Sequence, residues 1–241
     1  MDSTTLAWYD ARGEDIAARY ETVESPVAAL FDAAFRPASS ILDIGCGSGR
    51  DLAALLAAGY DAWGLEPSAT IRAEAERYHP ELQGRITDGG LPATGLPVGR
   101  VFDGLLCSAA FMHVPAGDWM DASAALACLV RTGGRLLISI PAARQGLDAQ
   151  HRDLAGRLFS PLSLTTLTGL LDGAGFGTIG LERETGFGPE VAHRRPELLR
   201  WRVDHQPTLK PGTLKPHTWR SGQHPSGAWT RRSLGTIALE R

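Results

Sequence analysis

The sequence predicts an α/β protein built on an open, mostly parallel sheet, and three observations carry that expectation. Ser40-Ile41-Leu42-Asp43-Ile44 is a short apolar run that reads as a buried strand. Gly45, Gly47 and Gly49 alternate directly after it, and residues 51–58 read as a helix leaving that turn. A second apolar run, residues 61–65, ends in the acid Glu66.

Strand, glycine turn and helix together present backbone N–H groups to a ligand at a helix N-terminus. A dinucleotide fingerprint of the G-x-G-x-x-G type needs a third glycine where Arg50 stands, so a bound pyrophosphate would lack it. Asp43-x-Gly45-x-Gly47-x-Gly49 instead resembles motif I of the class I S-adenosylmethionine (SAM)-dependent methyltransferases. Glu66 then falls at the separation of about 20 residues where such folds hold the ribose-binding acid. Two features at the right spacing are a stronger signal than either alone.

The resemblance covers about residues 5–185 and implies a Rossmann-like three-layer sandwich. Its sheet would have seven strands, mostly parallel, with strand seven antiparallel between five and six. Residues 1–36 would form an N-terminal helical cap, 37–185 the SAM-binding core, and 186–241 an irregular basic connection with the final strand. SAM is the implied cofactor and S-adenosylhomocysteine (SAH) the product, with no metal expected.

Each element has its own sequence grounds. Residues 6–20 can form a helix, and 26–35 a second one, with Ser25 as cap and Pro26 in the first turn. Gly59 stops the helix after motif I, and Ser68 caps a helix reaching Tyr78. Residues 84–88 read as a short third strand, and 93–100 are too rich in glycine and proline for a helix. Residues 102–108 form the fourth strand, similar to the family's "FDxVxx" segment. A helix over 118–131 follows, and Thr132-Gly133-Gly134 turns into a fifth strand over 135–140. Ser160 with Pro161 starts a helix to about Asp172, and residues 178–184 form strand six. Residues 233–240 read as strand seven, which leaves 186–228 as an unusually long connection; residues 198–203 are the rival for that strand.

Carried over position by position, the resemblance lets the backbone at Gly45, Cys46, Gly47 and Gly49 pass under the methionyl part of SAM, with Asp43 opening the motif. Arg50 would pair with the cofactor carboxylate or stay solvated. Glu66, followed by Pro67, would hold the ribose. Asp88, with Gly89 and Leu91, would take the adenine, the alternative being a solvated turn aspartate. Tyr9 and Tyr20 would reach the cofactor carboxylate, or merely pack their rings on the sheet. Cys107 begins the segment that floors the pocket between cofactor and acceptor.

Methyl transfer from a sulfonium is an in-line displacement, so alignment and exclusion of water do most of the catalysis. A general base is required only where the acceptor must lose a proton early. His113, after the fourth strand, is the single candidate for such a base; the resemblance favours pocket lining or structural support for a histidine at this position.

Hydrophobic content of 43% and charge of 21% are ordinary for a soluble protein, no apolar run reaches membrane-spanning length, and the N-terminus lacks a signal-peptide pattern. A cytoplasmic protein is the expectation. Cys46, Cys107 and Cys128 have neither metal-site nor CxxC spacing and read as reduced, buried thiols. Charge is divided unevenly: residues 1–192 carry 14 Lys+Arg against 24 Asp+Glu, and residues 193–241 carry 10 against 3, giving −10 and +7.

The segment after strand four, Cys107-Ser108-Ala109-Ala110, lacks the (D/N/S)PP(Y/F) motif of adenine and cytosine N-methylases. There is also no Pro-Cys nucleophile for cytosine C5. A small-molecule acceptor is therefore the leading expectation. A nucleic-acid acceptor is the alternative, supported by the basic and aromatic residues 193–232, and a SAM-binding protein without transferase activity is the third.

Overall fold

β1, Ser40–Ile44, is an interior strand of the sheet. The computed structural model that shows it describes residues 1–92, 100–141, 144–185 and 233–241. Ile41, Leu42 and Ile44 are at most 1% exposed, and a strand buried on both faces needs a layer on each side. Successive side chains divide between those layers. Leu42, Ile44, Leu105, Cys107, Leu136 and Ile138 join one apolar cluster, whereas Ile41, Leu106 and Leu137 join the other.

The layers are built from α4 (Arg50–Ala57), α5 (Ala69–Tyr78), α6 (Trp119–Leu129) and α7 (Leu164–Gly173). The other strands are β2 (Asp61–Leu65), β3 (Ile86–Thr87), β4 (Phe102–Ser108), β5 (Val130–Pro141), β6 (Gly177–Thr185) and β7 (Ser233–Glu240). Their order is β3-β2-β1-β4-β5-β7-β6, with β7 antiparallel to both β5 and β6 and the remaining pairs parallel. This is the seven-stranded Rossmann-like sheet that the resemblance implied. Strand order reverses between β1 and β4, and the crevice at their C-terminal ends is where such sheets bind ligands.

Several local expectations are corrected. The single helix over 6–20 is two, α1 (Ser3–Asp10) and α2 (Gly13–Glu21). Asp10 ends the first by accepting from Ser68 Oγ, Thr70 N and Thr70 Oγ1. Gly13 starts the second where a Cβ would lie 2.7 Å from Thr70, so close packing on α5 sets the break. The helix over 26–35 is a 3₁₀ turn, Ala28–Leu30, and one α-helical turn, α3 (Phe31–Ala34). The N-cap is Val27 rather than Ser25, whose hydroxyl accepts from the backbone N–H groups of Val27 and Ala28 ahead of the turn.

The third strand shrinks to two residues. α7 is capped by Ser163 rather than Ser160, whose hydroxyl instead donates to the Val114 carbonyl at 2.6 Å. Cys46 and Cys107 are buried as expected, but Cys128 is exposed. The loop at 93–99, the rival strand at 198–203 and the basic stretch 193–232 lie outside the described residues. Among the described residues no helix is long and apolar enough to cross a membrane.

Candidate functional site

Three glycines turn β1 into α4, all with positive φ: Gly45 at +73°, Gly47 at +56° and Gly49 at +84°. Side chains are strained in that region. At Gly45 space is also lacking, because a Cβ would sit 2.6 Å from the Ala110 Cβ. The carbonyl of Leu65 accepts from the N–H groups of Gly45 and Cys46, at 2.8 and 3.0 Å. The turn is thereby fastened to the end of β2.

Glu66 completes the fastening. Gly47 N–H donates to its Oε2 at 3.1 Å, and Ser68 N–H, at the cap of α5, donates to its Oε1 at 2.9 Å. The residue is 6% exposed. Burial pushes its carboxyl up to about 7, with the two N–H donors pulling against that shift. Asp43 is buried beneath the turn, and burial, with the neighbouring Asp51 and Glu66 carboxylates, holds its carboxyl well above the usual range. Arg50 donates to Asp51 at 2.9 Å and to the carbonyls of Tyr20 and Val23 at 3.3 and 2.8 Å, pinning the end of α2 to the start of α4.

Above the turn lies a cavity of about 510 Å³. Asp43, Gly45, Cys46, Gly47, Arg50 and Glu66 line it from the glycine turn and β2. Tyr9 and Tyr20 line it from the N-terminal helices, and Met112 and His113 from the segment after β4. Nine of the residues singled out in the sequence therefore meet around one space. Gly49, Pro67, Asp88, Gly89, Leu91 and Cys107 do not line it. Pro67 and Leu91 line a small neighbouring cavity, and Met1 lines both, its amino group donating to the Leu91 carbonyl. Asp88 is turned to solvent, its side chain 75% exposed and paired with Arg72 at 2.9 Å. Cys107 is wholly buried, and burial pushes its thiol up to about 12.

His113 is 3% exposed. Its Nδ1 lies 2.7 Å from the Leu158 carbonyl, which can only accept, so the ring proton belongs on Nδ1. Nε2 is then the acceptor for the Tyr9 hydroxyl at 3.2 Å. Burial pushes the imidazole down to about 4, with Arg157 and Arg144 adding to the effect. The ring is neutral near pH 7, with both nitrogens engaged. Burial likewise pushes the Tyr20 phenol up, so its hydroxyl keeps its proton.

The donor set suits a cofactor with hydroxyls and a charged chain. Two glycines leave backbone bare at the floor, a carboxylate is held at the end of β2, and the volume lies within the roughly 300–1,000 Å³ of small-molecule sites. Among the described residues no group of three or more His, Cys, Asp or Glu forms a metal site.

The sequence reading missed Arg144, Arg157 and Phe159, which close the cavity beside His113. They sit in a stretch without periodicity between β5 and α7, where only the density of arginines sets the residues apart. It also missed Gly64, where a Cβ would lie 2.8 Å from Cys46 Sγ, so that glycine lets β2 press against the turn.

Residues 16–179 match the family described as a methyltransferase domain. Among solved structures, the 1,6-didemethyltoxoflavin-N1-methyltransferase of Burkholderia thailandensis, with bound 1,6-didemethyltoxoflavin and SAH, superposes at a TM-score of 0.65 with 18% identity, over 99% of this chain and 88% of that one. A TehB-like SAM-dependent methyltransferase from Corynebacterium glutamicum gives 0.58 and 17%, over 96% and 98%. Magnesium protoporphyrin IX methyltransferase from Synechocystis, with bound SAM, gives 0.50 and 14%, over 98% and 80%. At these identities the likeness is one of fold. No curated protein matches the chain.

Proposed function

Because the chain belongs to the methyltransferase-domain family, in the class I SAM-dependent fold, we propose that it moves a methyl group from SAM to a small-molecule acceptor and releases SAH. The observation that carries the reading is the joint fixing of Gly47 and Glu66 on the floor of the cavity. The turn offers bare backbone and the acid offers two carboxylate oxygens, the pairing that a methionyl chain and a ribose require.

When bound, SAM supplies a methyl group already activated on a sulfonium. The chain's own residues bind, orient and exclude water. Glu66 accepts from ribose hydroxyls, and Gly45 and Gly47 allow close approach of the backbone. Asp43, its carboxyl pushed up by burial, and Asp51, paired with Arg50, line the same part of the cavity. Tyr9 and Tyr20 close the cavity from α1 and α2. Holding a nucleophile aligned in such a space is worth on the order of 7–11 kcal/mol in favourable cases. His113, with Nε2 occupied by Tyr9, lines the pocket; it takes a proton only through or after displacement of the Tyr9 hydroxyl.

A small acceptor is supported by the size of the space, about 510 Å³, lined by residues of α1, α2 and 144–159. The toxoflavin-precursor and protoporphyrin enzymes of the same fold agree with it. The alternative of a nucleic-acid acceptor rests on the sequence of residues 193–232 alone.

The test is calorimetric titration of SAM and SAH into wild type and Glu66→Ala. Micromolar binding, about −8 kcal/mol, weakened at least about tenfold by the substitution, is expected. Absence of binding of either ligand to folded wild type would sink the reading.

A further inference from the structure

A second wall of the cavity is basic. Arg144, Arg157 and Phe159 line it, next to His113 and Tyr9. Arg157 Nε and Nη2 both donate to Asp153 Oδ2, at 3.0 and 2.6 Å, and Arg144 Nη2 donates to the same oxygen at 2.9 Å. One carboxylate oxygen therefore receives two guanidinium groups, and Asp153 stands behind them, not among the residues that line the cavity.

Aromatic rings hold both cations in place. The Arg157 guanidinium lies 4.1 Å from the centre of the Trp8 ring and 5.3 Å from that of Phe159, and the Arg144 guanidinium 3.7 Å from that of Phe159. The acids that do line the cavity, Glu24, Asp43, Asp51 and Glu66, come from the loop after α2, β1, the first turn of α4 and the end of β2. Arg19 of α2 and Arg50 of α4 line the same side, whereas residues 144–159 bring two arginines and no acid to the lining.

We propose that the methyl acceptor carries an anionic group, a carboxylate in the first instance, which Arg157 and Arg144 receive beside His113. The inference rests on the methyltransferase reading of the cavity. An arginine fork matches a carboxylate or a phosphate with two parallel hydrogen bonds. Packing Arg157 between rings orders the fork beforehand, so less entropy is lost when the anion arrives. A cationic amine acceptor would face two guanidinium groups that share the single carboxylate of Asp153, a net positive charge, with a neutral His113 beside them and no acid of residues 144–159 in the lining itself.

Calorimetric titration of benzoate, phenyl phosphate and benzamide into SAH-saturated protein tests the proposal. Benzoate is expected to bind with a Kd of about 1 mM or tighter and benzamide at least about tenfold more weakly. That preference should fall to within about twofold in Arg157→Met and in Arg144→Met, and survive in part in Arg157→Lys. Phenyl phosphate binding more tightly than benzoate would keep the anion and overturn the carboxylate. Equal binding of benzoate and benzamide, no binding of either anion, or a preference unchanged in both methionine variants would overturn the proposal. Arg144 is the more exposed of the two, so its variant decides the matter should Arg157→Met fail to fold. SAH affinity is read in the same experiment: a wild type that binds no SAH removes the methyltransferase reading itself, whereas SAH binding with no anion preference removes only the inference.

Discussion

The Tyr9 hydroxyl stands 3.2 Å from His113 Nε2 and ties α1 to the segment after β4 in the wall of the cavity. Since His113 Nδ1 gives its proton to the Leu158 carbonyl, Tyr9 is the donor in this pair. The side chain that the sequence offered as a base is thus held as a hydrogen-bond acceptor, and the residue offered for the cofactor carboxylate is what holds it.

Tyr9→Phe leaves the buried Nε2 without its partner. A loss of about 1–3 kcal/mol in unfolding free energy is expected, read by urea denaturation. The 15N shifts of His113 should still report the proton on Nδ1, because Leu158 remains.

His113 gives a dependence on acid. Its pKa in the folded protein, about 4, is below the ordinary 6.5, so the unfolded chain binds more protons between those values. The stability it contributes is complete above about pH 6.5 and is lost as pH falls toward 4. The difference in unfolding free energy between wild type and His113→Gln should shrink over that window, by on the order of 3 kcal/mol.

Glu66 has the opposite sign. Its folded pKa of about 7 lies above the ordinary 4.5, so the folded state binds more protons and its contribution to stability falls as pH rises from 4.5 through 7. A carboxyl 13C titration should show the midpoint near 7. Saturating SAH should lower that midpoint, and SAH affinity should rise with pH up to about 7, because hydroxyl donors favour the carboxylate.

Gly45→Ala and Gly47→Ala should differ. Both place a side chain at positive φ, but the Gly45 variant also drives its Cβ to 2.6 Å from Ala110, while at Gly47 the nearest atom is the Tyr20 ring at 3.5 Å. A loss of about 1–2 kcal/mol is expected at Gly47 and a larger one at Gly45, measured by thermal unfolding. SAH binding should weaken more in the Gly45 variant.

Much of the frame was legible because its signals are local. β1, the glycine turn, β2 with Glu66, and β4 through β7 each announce themselves within about ten residues, through apolar runs bounded by glycines and caps. The family pattern supplied the order, including the antiparallel placement of Ser233–Glu240. Where a local signal competed with a distant partner, the partner won. Asp10 breaks the N-terminal helix because Ser68 and Thr70, about 60 residues on, take its carboxylate. Ser160 looks like a cap, but its hydroxyl is drawn to Val114, 46 residues back.

The amino-acid sequence by itself therefore determined most of the strands, the bare-backbone turn and the acid that faces it, since apolar runs and glycine chemistry act between near neighbours. Only the tertiary structure decided the proton position on His113, the pairing of Asp88 with Arg72 away from the cavity, and the arginine wall on Asp153. Tyr9 and His113 are 104 residues apart, and Asp2 and Arg152 150. Hydrogen bonds and charges act over a few ångströms of space, so partners at such separations leave no mark in a single sequence until the chain has folded to bring them together.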